Sequence, residues 1–282
     1  MGESLISIVT PSLNQAQYLE ETLTSVLDQG FGGLEYVVVD GGSSDGSVDI
    51  IKRYADRLSS WVSEPDRGHA DAINKGFAHT SGEVMAWINS SDVYLPWTLR
   101  TVAAVFRDVP EAQWVMGVPA SWTTSGSLTN INPTLRNRYD FLASHRCVIQ
   151  QESVFWRRSL WDACGGRLSD DLRLACDYDL WMRFLREGTL YHVDSVLAAF
   201  RPHFDRRGEM HREAYRREAH AKWQQYRRAT SAKDLRRASL VRACDSRAGR
   251  TARSALRSLQ LMRWDAQPRI VFDHAAAAWR VV

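Results

Sequence analysis

The sequence predicts an α/β protein whose core is a doubly wound, mostly parallel sheet flanked by helices, with a helical C-terminal extension. Two observations support this fold class. Strand-like and helix-like segments alternate over residues 5–107, and the segment YVVVDGGSSDG (36–46) runs from three valines into an aspartate and a glycine-rich turn. Continuous apolar runs are typical of strands covered on both faces. Open parallel sheets bind ligands at the carboxyl ends of their strands, so this turn is a candidate ligand site. The alternative is a tight strand-to-helix turn with solvated acids.

Local patterns justify each element in turn. The first strand is LISIVTP (5–11), and Leu19, Leu23 and Leu27 mark one face of a helix over 18–29. Further strands are predicted over 34–40, 58–63 and 83–89, and further helices over 48–55, 69–79 and 96–107. Beyond residue 110 the pattern predicts short strands at 114–120 and 152–158, a helix over 178–187, two short strands up to residue 202, and a helix over 209–228.

Charge divides the chain near residue 205. Residues 205–282 hold 19 Lys and Arg against 8 Asp and Glu, a net charge of +11, which leaves −8 for residues 1–204. Within the basic part, the stretch 247–263 places apolar residues along one face with arginines nearby: Leu256, Leu259 and Met262 beside Arg250, Arg253 and Arg257. Such a helix suits an anionic membrane surface. The alternative is an appendage that packs on the main domain with a solvated basic face.

Several classes of protein are excluded by what the sequence lacks. A hydrophobic content of 44% over 282 residues supports a large core, and no apolar run is long enough to span a bilayer. Without a secretory leader pattern, we expect a cytoplasmic protein. The first strand is followed by TPSLNQAQ rather than G-x-G-x-x-G, and neither a Walker sequence nor a nucleophile elbow is present. No nucleic-acid partner is expected, because charge alone without a motif does not predict one.

Five segments, taken together, resemble the family 2 glycosyltransferases with the GT-A fold. They are SIVTPSLNQAQYLEETLTSVLDQ (7–29), LEYVVVDGGSSDGS (34–47), SEPDRGHADAINKGF (63–77), GEVMAWINSSD (82–92) and DYDLWMRF (177–184). The resemblance covers about residues 4–205. It implies an inverting transferase that moves a sugar from a nucleotide-diphosphate donor to an acceptor hydroxyl, usually with Mg²⁺ or Mn²⁺. It also implies a GT-A catalytic domain over 1–205, with a nucleotide-binding half (1–110) and an acceptor half (111–205), before the basic helical extension over 206–282.

Most of the implied site residues lie on the nucleotide side. They are Thr10, Pro11, Ser12, Asp40, Asp66, Arg67, Asp71, Asn89 and Ser91. The first three would lie against the nucleoside, and Asp40 would accept hydrogen bonds from the base. Arg67 is able to approach a phosphate of the donor. For Asp66 and Arg67, a capped surface turn is the alternative. The expected partners are a UDP-, dTDP- or GDP-linked sugar and a glycan or lipid-linked acceptor of the bacterial surface.

The segment NSSD (89–92) stands where the family carries its D-x-D-like metal motif, often with two adjacent carboxylates. Here only Asp92 remains. A diphosphate-bound Mg²⁺ takes one or two protein carboxylates, and His203 resembles a late family histidine, so we expect Mg²⁺ or Mn²⁺ held by Asp92 with His203. Alternatively, Arg206 and Arg207 stabilise the leaving diphosphate without a metal. In a third alternative, the serine before Asp92 indicates a catalytically weak or inactive nucleotide-sugar-binding module.

The acceptor hydroxyl must lose its proton during attack, and Asp177 matches the family position of the base that takes it. A helix N-terminus is expected to keep this carboxylate ionised and to lower its strength modestly. Asp179 is the other candidate for the base. If it has no catalytic role, we expect it to cap the helix. Trp156 and Trp181 are predicted to be buried rather than stacked on a sugar. The resemblance also implies an acceptor side and a flexible loop over it, formed by Gln150, Gln151, Gly165 and Gly166.

Overall fold

The computed structural model describes residues 5–202, 212–244, 246–259 and 261–282. The strands in these ranges are β1 Ile6–Ser12, β2 Leu34–Asp40, β3 Ser60–Ser63, β4 Val84–Trp87, β5 Val93–Tyr94, β6 Trp114–Met116, β7 Ser121–Trp122, β8 Leu128–Thr129, β9 Val154–Arg157, β10 Leu190–Val193, β11 Ala198–Ala199, β12 Arg269–Asp273 and β13 Ala278–Val281. The α-helices are α1 Ala16–Leu27, α2 Ser47–Arg53, α3 His69–Ala78, α4 Thr98–Asp108, α5 Arg138–Ala143, α6 Arg158–Ala163, α7 Cys176–Glu187, α8 Arg212–Arg228, α9 Ala232–Ala243 and α10 Arg247–Ser258.

Within the described ranges, nine strands form one sheet in the order β13-β12-β10-β6-β9-β4-β1-β2-β3. Strand β1 is central and pairs in parallel with both β2 and β4, while β3 continues the parallel pairing beyond β2. Strand β9 runs antiparallel between β4 and β6, and β6, β10 and β12 are parallel again. The prediction of a mostly parallel sheet flanked by helices is confirmed.

The three valines of the segment 36–46 lie in β2. Val37, Val38 and Val39 are all buried, although successive strand residues point to opposite faces of a sheet. Both faces of β2 are therefore covered, as the continuous apolar run predicted. The strand also pairs on both edges, with β1 and β3, so its backbone is fully engaged and its last residue, Asp40, is held at the carboxyl edge.

A buried tryptophan cluster fixes α7 against the middle of the sheet. The ring of Trp181 on α7 stacks on Trp87 of β4, with centroids 5.6 Å apart and planes 3° apart, and on Trp114 of β6 at 5.8 Å. Trp156 of β9 meets Trp181 edge to face. The prediction that Trp156 and Trp181 are buried is confirmed. Because these large apolar faces pack tightly, the start of α7 has a defined position over the sheet.

The C-terminal extension differs from the prediction at its end. The extension contains α8 and α10 where helices were expected and also α9, but β12 and β13 make a hairpin whose first strand pairs in parallel with β10. A purely helical extension over 206–282 is therefore wrong for its last residues. Ile270 of β12 is completely buried beside Val193, so burial against an open sheet edge determines this strand, and a five-residue strand gives little signal in the sequence.

The proposed apolar face over 247–263 also needs correction. Met262 is buried, and the Arg253 guanidinium lies 2.6 Å from a carboxylate oxygen of Asp140 on α5 and 2.6 Å from one of Asp265. This part of the extension packs on the main domain, as the alternative predicted. Leu256 and Leu259 remain exposed. In the described residues, no helix is long and apolar enough to cross a membrane.

Candidate active site

The carboxyl ends of β1 and β2 lie side by side, with Ser12 in register with Asp40. Asp40 is fully buried, and its Oδ2 accepts hydrogen bonds from the backbone N–H groups of Gly42 at 3.1 Å and Ser43 at 2.8 Å. The hydroxyl groups of Ser43 and Ser63 also donate to this carboxylate, at 2.5 and 2.8 Å. Asp40 thus holds the glycine-rich turn mainly through Oδ2, while Oδ1 accepts one hydrogen bond and retains capacity for another.

An unpaired hydroxyl marks the end of β1. Ser12 is 4% exposed, and among the described residues its Oγ has no hydrogen-bond partner. The hydroxyl of Thr10 is already paired with that of Tyr36 at 2.8 Å, and Pro11 is buried without a side-chain donor. Buried polar groups almost always have partners, so this orphaned hydroxyl at the ligand-binding edge is suited to a polar ligand.

The EPDRG loop brings Asp66 against the glycine-rich turn. A Cβ atom at Gly41 would lie 2.7 Å from Oδ2 of Asp66, which is closer than real contacts allow. Oδ1 of Asp66 accepts a hydrogen bond from the backbone of Gly68 at 2.7 Å. The sequence therefore needs glycine at position 41 to admit the Asp66 side chain, and the two predicted nucleotide segments meet there.

Arg67 points into a cleft beside the start of α3. Its Nη2 lies 2.6 Å from Oδ1 of Asp71 and 3.4 Å from Oδ2 of Asp170, and its side chain is 73% exposed. The hydrogen bond from Arg67 holds the pKa of the Asp71 carboxyl below its usual value. The cleft has a volume of about 360 Å³ and is lined by Arg67, Gly68, His69, Asp71, Asp170 and Arg173. An exposed guanidinium at a helix N-terminus is available to an anionic group.

A polar network joins the predicted metal motif to the predicted acceptor side. The Asn89 side-chain amide donates to Oδ2 of Asp92 at 3.3 Å and to Oε1 of Gln151 at 3.1 Å. Gln151 in turn donates to the carbonyl of Trp87 at 2.5 Å. Oδ1 of Asn89 is buried without a hydrogen-bond partner in the described chain. Asn89 and Ser12 therefore place two orphaned acceptors at the carboxyl edge of the sheet.

Arg201 is the residue that the sequence analysis missed in this region. It is 2% exposed, its backbone N–H donates to Oδ1 of Asp92 at 3.0 Å, and its Nε donates to the carbonyl of Ser91 at 2.9 Å. Its guanidinium also pairs with Glu21 of α1. The sequence signal was an arginine directly before the PHFDRR segment. The contacts of Arg201 arise from long-range packing, which the sequence does not reveal.

The described residues contain no group of three or more His, Cys, Asp or Glu side chains placed to hold a metal ion. Asp92 is buried, and both of its carboxylate oxygens accept hydrogen bonds. His203, Arg206 and Arg207 lie outside the described residues, so the pairing of Asp92 with His203 stays a prediction. One carboxylate is still sufficient for a cation that a diphosphate carries with its own oxygens and waters.

Asp177 is the second residue of α7 and is partly buried. Its Oδ1 accepts hydrogen bonds from the backbone N–H of Tyr178 at 2.7 Å and from the hydroxyl of Tyr215 at 3.4 Å. Burial nevertheless raises the pKa of this carboxyl to about 6. The pKa therefore shifts opposite to the expected weakening of this base, because desolvation outweighs the hydrogen bonds from Tyr178 and Tyr215.

Asp179 has a different environment. It is 3% exposed, and its Oδ2 accepts from the Ser169 hydroxyl at 2.8 Å and from Nε of Arg183 at 3.1 Å. Lys222 of α8 lies 3.4 Å from its other oxygen. Asp179 is therefore fixed in ion pairs rather than acting as a helix cap, and its oxygens are already engaged by cations.

The remaining predicted acceptor residues have local structural contacts. Gly165 and Gly166 have φ angles of 98° and 61°, and their N–H groups donate to carbonyls in the last turn of α6 at 3.0 and 2.9 Å. These two glycines therefore end α6 in a left-handed conformation. Gln150 donates to the carbonyl of Ala120 at 2.5 Å.

Many side-chain contacts join the two predicted halves, among them Asn74 with Leu168, Arg67 with Asp170, and Asn89 with Gln151. Asp177 is not bonded to any of them. Its hydrogen bonds in the described part of the chain go to Tyr178 and Tyr215. The candidate base is thus held by its own helix and by α8.

The mostly parallel sheet, flanked by helices and with unpaired polar groups at its carboxyl edge, is GT-A-like. The glycosyl transferase family 2 pattern matches residues 7–166, more than half of the chain, and the protein belongs to this family. An uncharacterized glycosyltransferase of Rickettsia typhi is 27% identical over 211 residues, which cover 71% of this chain and 64% of the relative. The chain therefore spans less than two thirds of that relative's length.

Other similarities are more local or confined to the fold. A Bacillus subtilis protein, TuaG, named for teichuronic acid biosynthesis, is 37% identical over 91 residues, 31% of this chain and 36% of that protein. Residues 1–349 of Staphylococcus aureus TarS in complex with UDP-GlcNAc give a TM-score of 0.59 at 17% identity, covering 72% of this chain and 60% of that one. The Pyrobaculum calidifontis mannosyltransferase in complex with GDP-Man and Mn²⁺ gives 0.54 at 19%, covering 93% and 82%.

Proposed function

We propose that this protein is an inverting glycosyltransferase that moves a sugar from a nucleotide-diphosphate donor to an acceptor hydroxyl in bacterial surface-glycan synthesis. The observation that carries the proposal is Asp177, a partly buried carboxyl with a pKa of about 6 at the start of a helix. A general base works best when its pKa lies near the operating pH. Family membership supplies the reaction class, and the similarity to TuaG supports a surface glycan as the product.

In the proposed reaction, Asp177 takes the proton of the acceptor hydroxyl while its oxygen attacks the anomeric carbon of the donor sugar. The bond from that carbon to the diphosphate oxygen breaks as the new glycosidic bond forms, so a single displacement inverts the anomeric centre. The nucleoside diphosphate leaves with the electron pair. Asp177 is suited to this role because its pKa leaves it ionised above about pH 6 while burial keeps it more basic than an exposed aspartate.

The donor residues bind the nucleotide and its diphosphate in this proposal. Ser12 and Asn89 offer unpaired polar atoms at the carboxyl edge of the sheet, and Arg67 offers an exposed cation in the adjacent cleft. Asp92 is the described carboxylate that we propose for Mg²⁺ or Mn²⁺, which would neutralise charge on the departing diphosphate. We also propose cytoplasmic placement, where nucleotide sugars are made, with a glycan or lipid-linked glycan as acceptor.

Nucleotide-sugar binding and turnover test the proposal. UDP-, dTDP- and GDP-sugars are screened by thermal shift, because a bound donor stabilises the fold by mass action, and the best donor is then assayed for hydrolysis and transfer. Asp177→Asn should abolish transfer and leave nucleotide affinity within about twofold of wild type. Asp273→Asn, on the C-terminal hairpin, is the matched control and should keep full transfer. Normal transfer by Asp177→Asn would show that Asp177 is not the general base.

A second candidate function is a nucleotide-sugar-binding module without catalysis. The observation that favours it is Ser91, which stands in the position of a second metal carboxylate, beside an Asp92 whose oxygens are both hydrogen-bonded. Measurement of donor affinity and donor hydrolysis with and without Mn²⁺ separates the two functions. Binding that is insensitive to metal, together with no hydrolysis of any donor, favours the module.

A further inference from the structure

Helix α8, which lies beyond the family match, places one face against the segment that carries the candidate base. Tyr215, Glu218 and Lys222 are spaced three and four residues apart, so they share one side of the helix. Each contacts a different part of the segment 171–179 that leads into and begins α7. A helix outside the matched region is therefore in direct contact with the predicted centre of the chemistry.

Glu218 binds the backbone immediately before the base. Its Oε2 accepts hydrogen bonds from the N–H groups of Leu174 at 2.9 Å and Ala175 at 3.0 Å. Ala175 is the N-cap residue of α7 and has no side chain that could cap the helix itself. A carboxylate at this end of a helix also interacts favourably with the helix dipole. Glu218 therefore fixes the entry to α7 that Ala175 leaves uncapped.

Tyr215 acts on the carboxyl group itself. Its hydroxyl and the backbone N–H of Tyr178 both donate to Oδ1 of Asp177, at 3.4 and 2.7 Å. Neither of these hydrogen bonds uses Oδ2, the second oxygen of the same carboxylate. The titratable groups near Asp177 are Tyr215 on α8 and Cys176 and Tyr178 on its own helix. Both of these hydrogen bonds therefore hold the carboxylate through Oδ1.

We propose that Tyr215 and Glu218 are positioning residues for Asp177, so that α8 completes the active site of this enzyme. The inference rests on the proposed function, because it assumes that Asp177 is the general base. Glu218 sets the position of the helix start, and Tyr215 selects which carboxylate oxygen faces the acceptor. Lys222 strengthens the same contact through Asp179 at 3.4 Å and Asp171 at 3.7 Å. The catalytic unit therefore extends past residue 205 and includes α8.

Removal of single groups from α8 in the full chain tests this inference. In Tyr215→Phe the ionised form of Asp177 loses a donor, so the acid limb of kcat/KM should move up by about half a pH unit. Activity should then fall about twofold at pH 6 and match wild type at pH 8. Tyr226→Phe removes a hydroxyl from the same helix and is the control; it should keep the wild-type profile. A purely structural role would lower activity equally at every pH.

Glu218→Ala should lower kcat at least tenfold with a donor KM within about twofold of wild type, because one ångström of misplacement has effects of this order. Glu218→Gln should recover part of the loss, since an amide oxygen accepts the same two N–H groups. Glu213→Ala, exposed on the same helix, is the control. Wild-type kcat in a folded Glu218→Ala protein would overturn the role of Glu218.

A titration of the Asp177 carboxyl by ¹³C NMR gives a readout without turnover. The pKa of this carboxyl should rise in Tyr215→Phe and stay at its wild-type value in Tyr226→Phe. An unchanged pKa in Tyr215→Phe overturns the inference even when Asp177→Asn is inactive, which leaves the proposed function intact. Full transfer by Asp177→Asn would show that Asp177 is not the general base, and the inference would fall with that assignment.

Discussion

The backbone N–H of Arg201 donates to Oδ1 of Asp92 at 3.0 Å, across 109 residues of sequence. The same arginine donates from Nε to the carbonyl of Ser91 at 2.9 Å and pairs with Glu21 on α1. This buried arginine thus helps to hold the turn that carries the lone acid of the metal-like motif, together with Asn89 and Thr22. The turn is therefore tied both to β11, which ends two residues before Arg201, and to the first helix.

Arg201→Met should destabilise the fold. The substitution retains the backbone bond to Asp92 but leaves the buried Ser91 carbonyl without its donor and Glu21 without its cation. We expect a loss of about 2–4 kcal/mol in the free energy of unfolding, measured by urea denaturation. Arg53→Met is the matched control, because Arg53 pairs with Glu20, the neighbouring glutamate of α1, on the protein surface. The control should unfold close to wild type, and an equal loss in both variants would contradict the buried role of Arg201.

Asp92→Asn should remove the metal dependence of nucleotide binding. In the wild type, Mn²⁺ should raise the unfolding temperature of the nucleotide-bound protein beyond the shift that nucleotide gives alone, since a bound ligand adds stability. The near-isosteric amide can still accept the Arg201 N–H through its oxygen, but it gives up the bond from Asn89 and loses the charge that a hard cation needs. Asp108→Asn, at the end of α4, should respond to Mn²⁺ as wild type does. An undiminished Mn²⁺ effect in Asp92→Asn would exclude Asp92 as a ligand.

Local periodicity was sufficient to predict the alternating strands and helices of the first half. The three valines of β2 and the apolar face of α1 carry their signal within one element, so no distant contact is needed to interpret them. The C-terminal hairpin could not be predicted in this way. Strand β12 forms because β10 offers an open edge, which is a property of the folded sheet.

The candidate residues that directly follow the ends of strands were predicted from the sequence. The residues whose hydrogen-bond partners are distant in sequence were missed. Asp40, Asp66 and Asn89 lie at the carboxyl edge, as the motif positions implied. Arg201 and Tyr215 reach their acceptors across 109 and 38 residues, and neither has a spacing that would single it out. The pKa of Asp177 was predicted in the wrong direction, because the burial of this carboxyl in the folded chain is not visible in the sequence.

Asp177→Asn should stabilise the protein at neutral pH. The folded pKa of this carboxyl, about 6, lies above the unfolded value of 3.8, so the folded state binds the proton more tightly. The resulting stability is fully present below about pH 4 and is lost as pH rises through 6. Two pKa units correspond to about 3 kcal/mol, so the variant should gain up to that amount at pH 7.5 and nothing at pH 3.5.

Denaturation of the wild type and of Asp177→Asn across this pH range measures the gain in the free energy of unfolding. Asp45→Asn supplies a control of opposite sign. Burial alone would raise the pKa of Asp45, but hydrogen bonds from the Ser47 hydroxyl and the Ala16 N–H outweigh it and lower the pKa. That carboxylate therefore stabilises the fold above its unfolded pKa, and the contribution is lost as pH falls. Asp45→Asn should destabilise at pH 7.5. A difference between wild type and Asp177→Asn that does not vary with pH would contradict the raised pKa.

Gly41→Ala should weaken nucleotide binding while leaving the fold intact. The new methyl group would lie 2.7 Å from Oδ2 of Asp66, at the free end of a side chain that can rotate away. Movement of Asp66 breaks the junction between the two nucleotide segments, so we expect at least a tenfold loss of nucleotide affinity by calorimetry, about 1.4 kcal/mol or more. Gly117→Ala is the contrasting variant, because its methyl group would meet buried Leu197 at 2.7 Å. That variant should lose unfolding free energy instead. Wild-type nucleotide affinity in Gly41→Ala would show that Asp66 does not contribute to the nucleotide pocket.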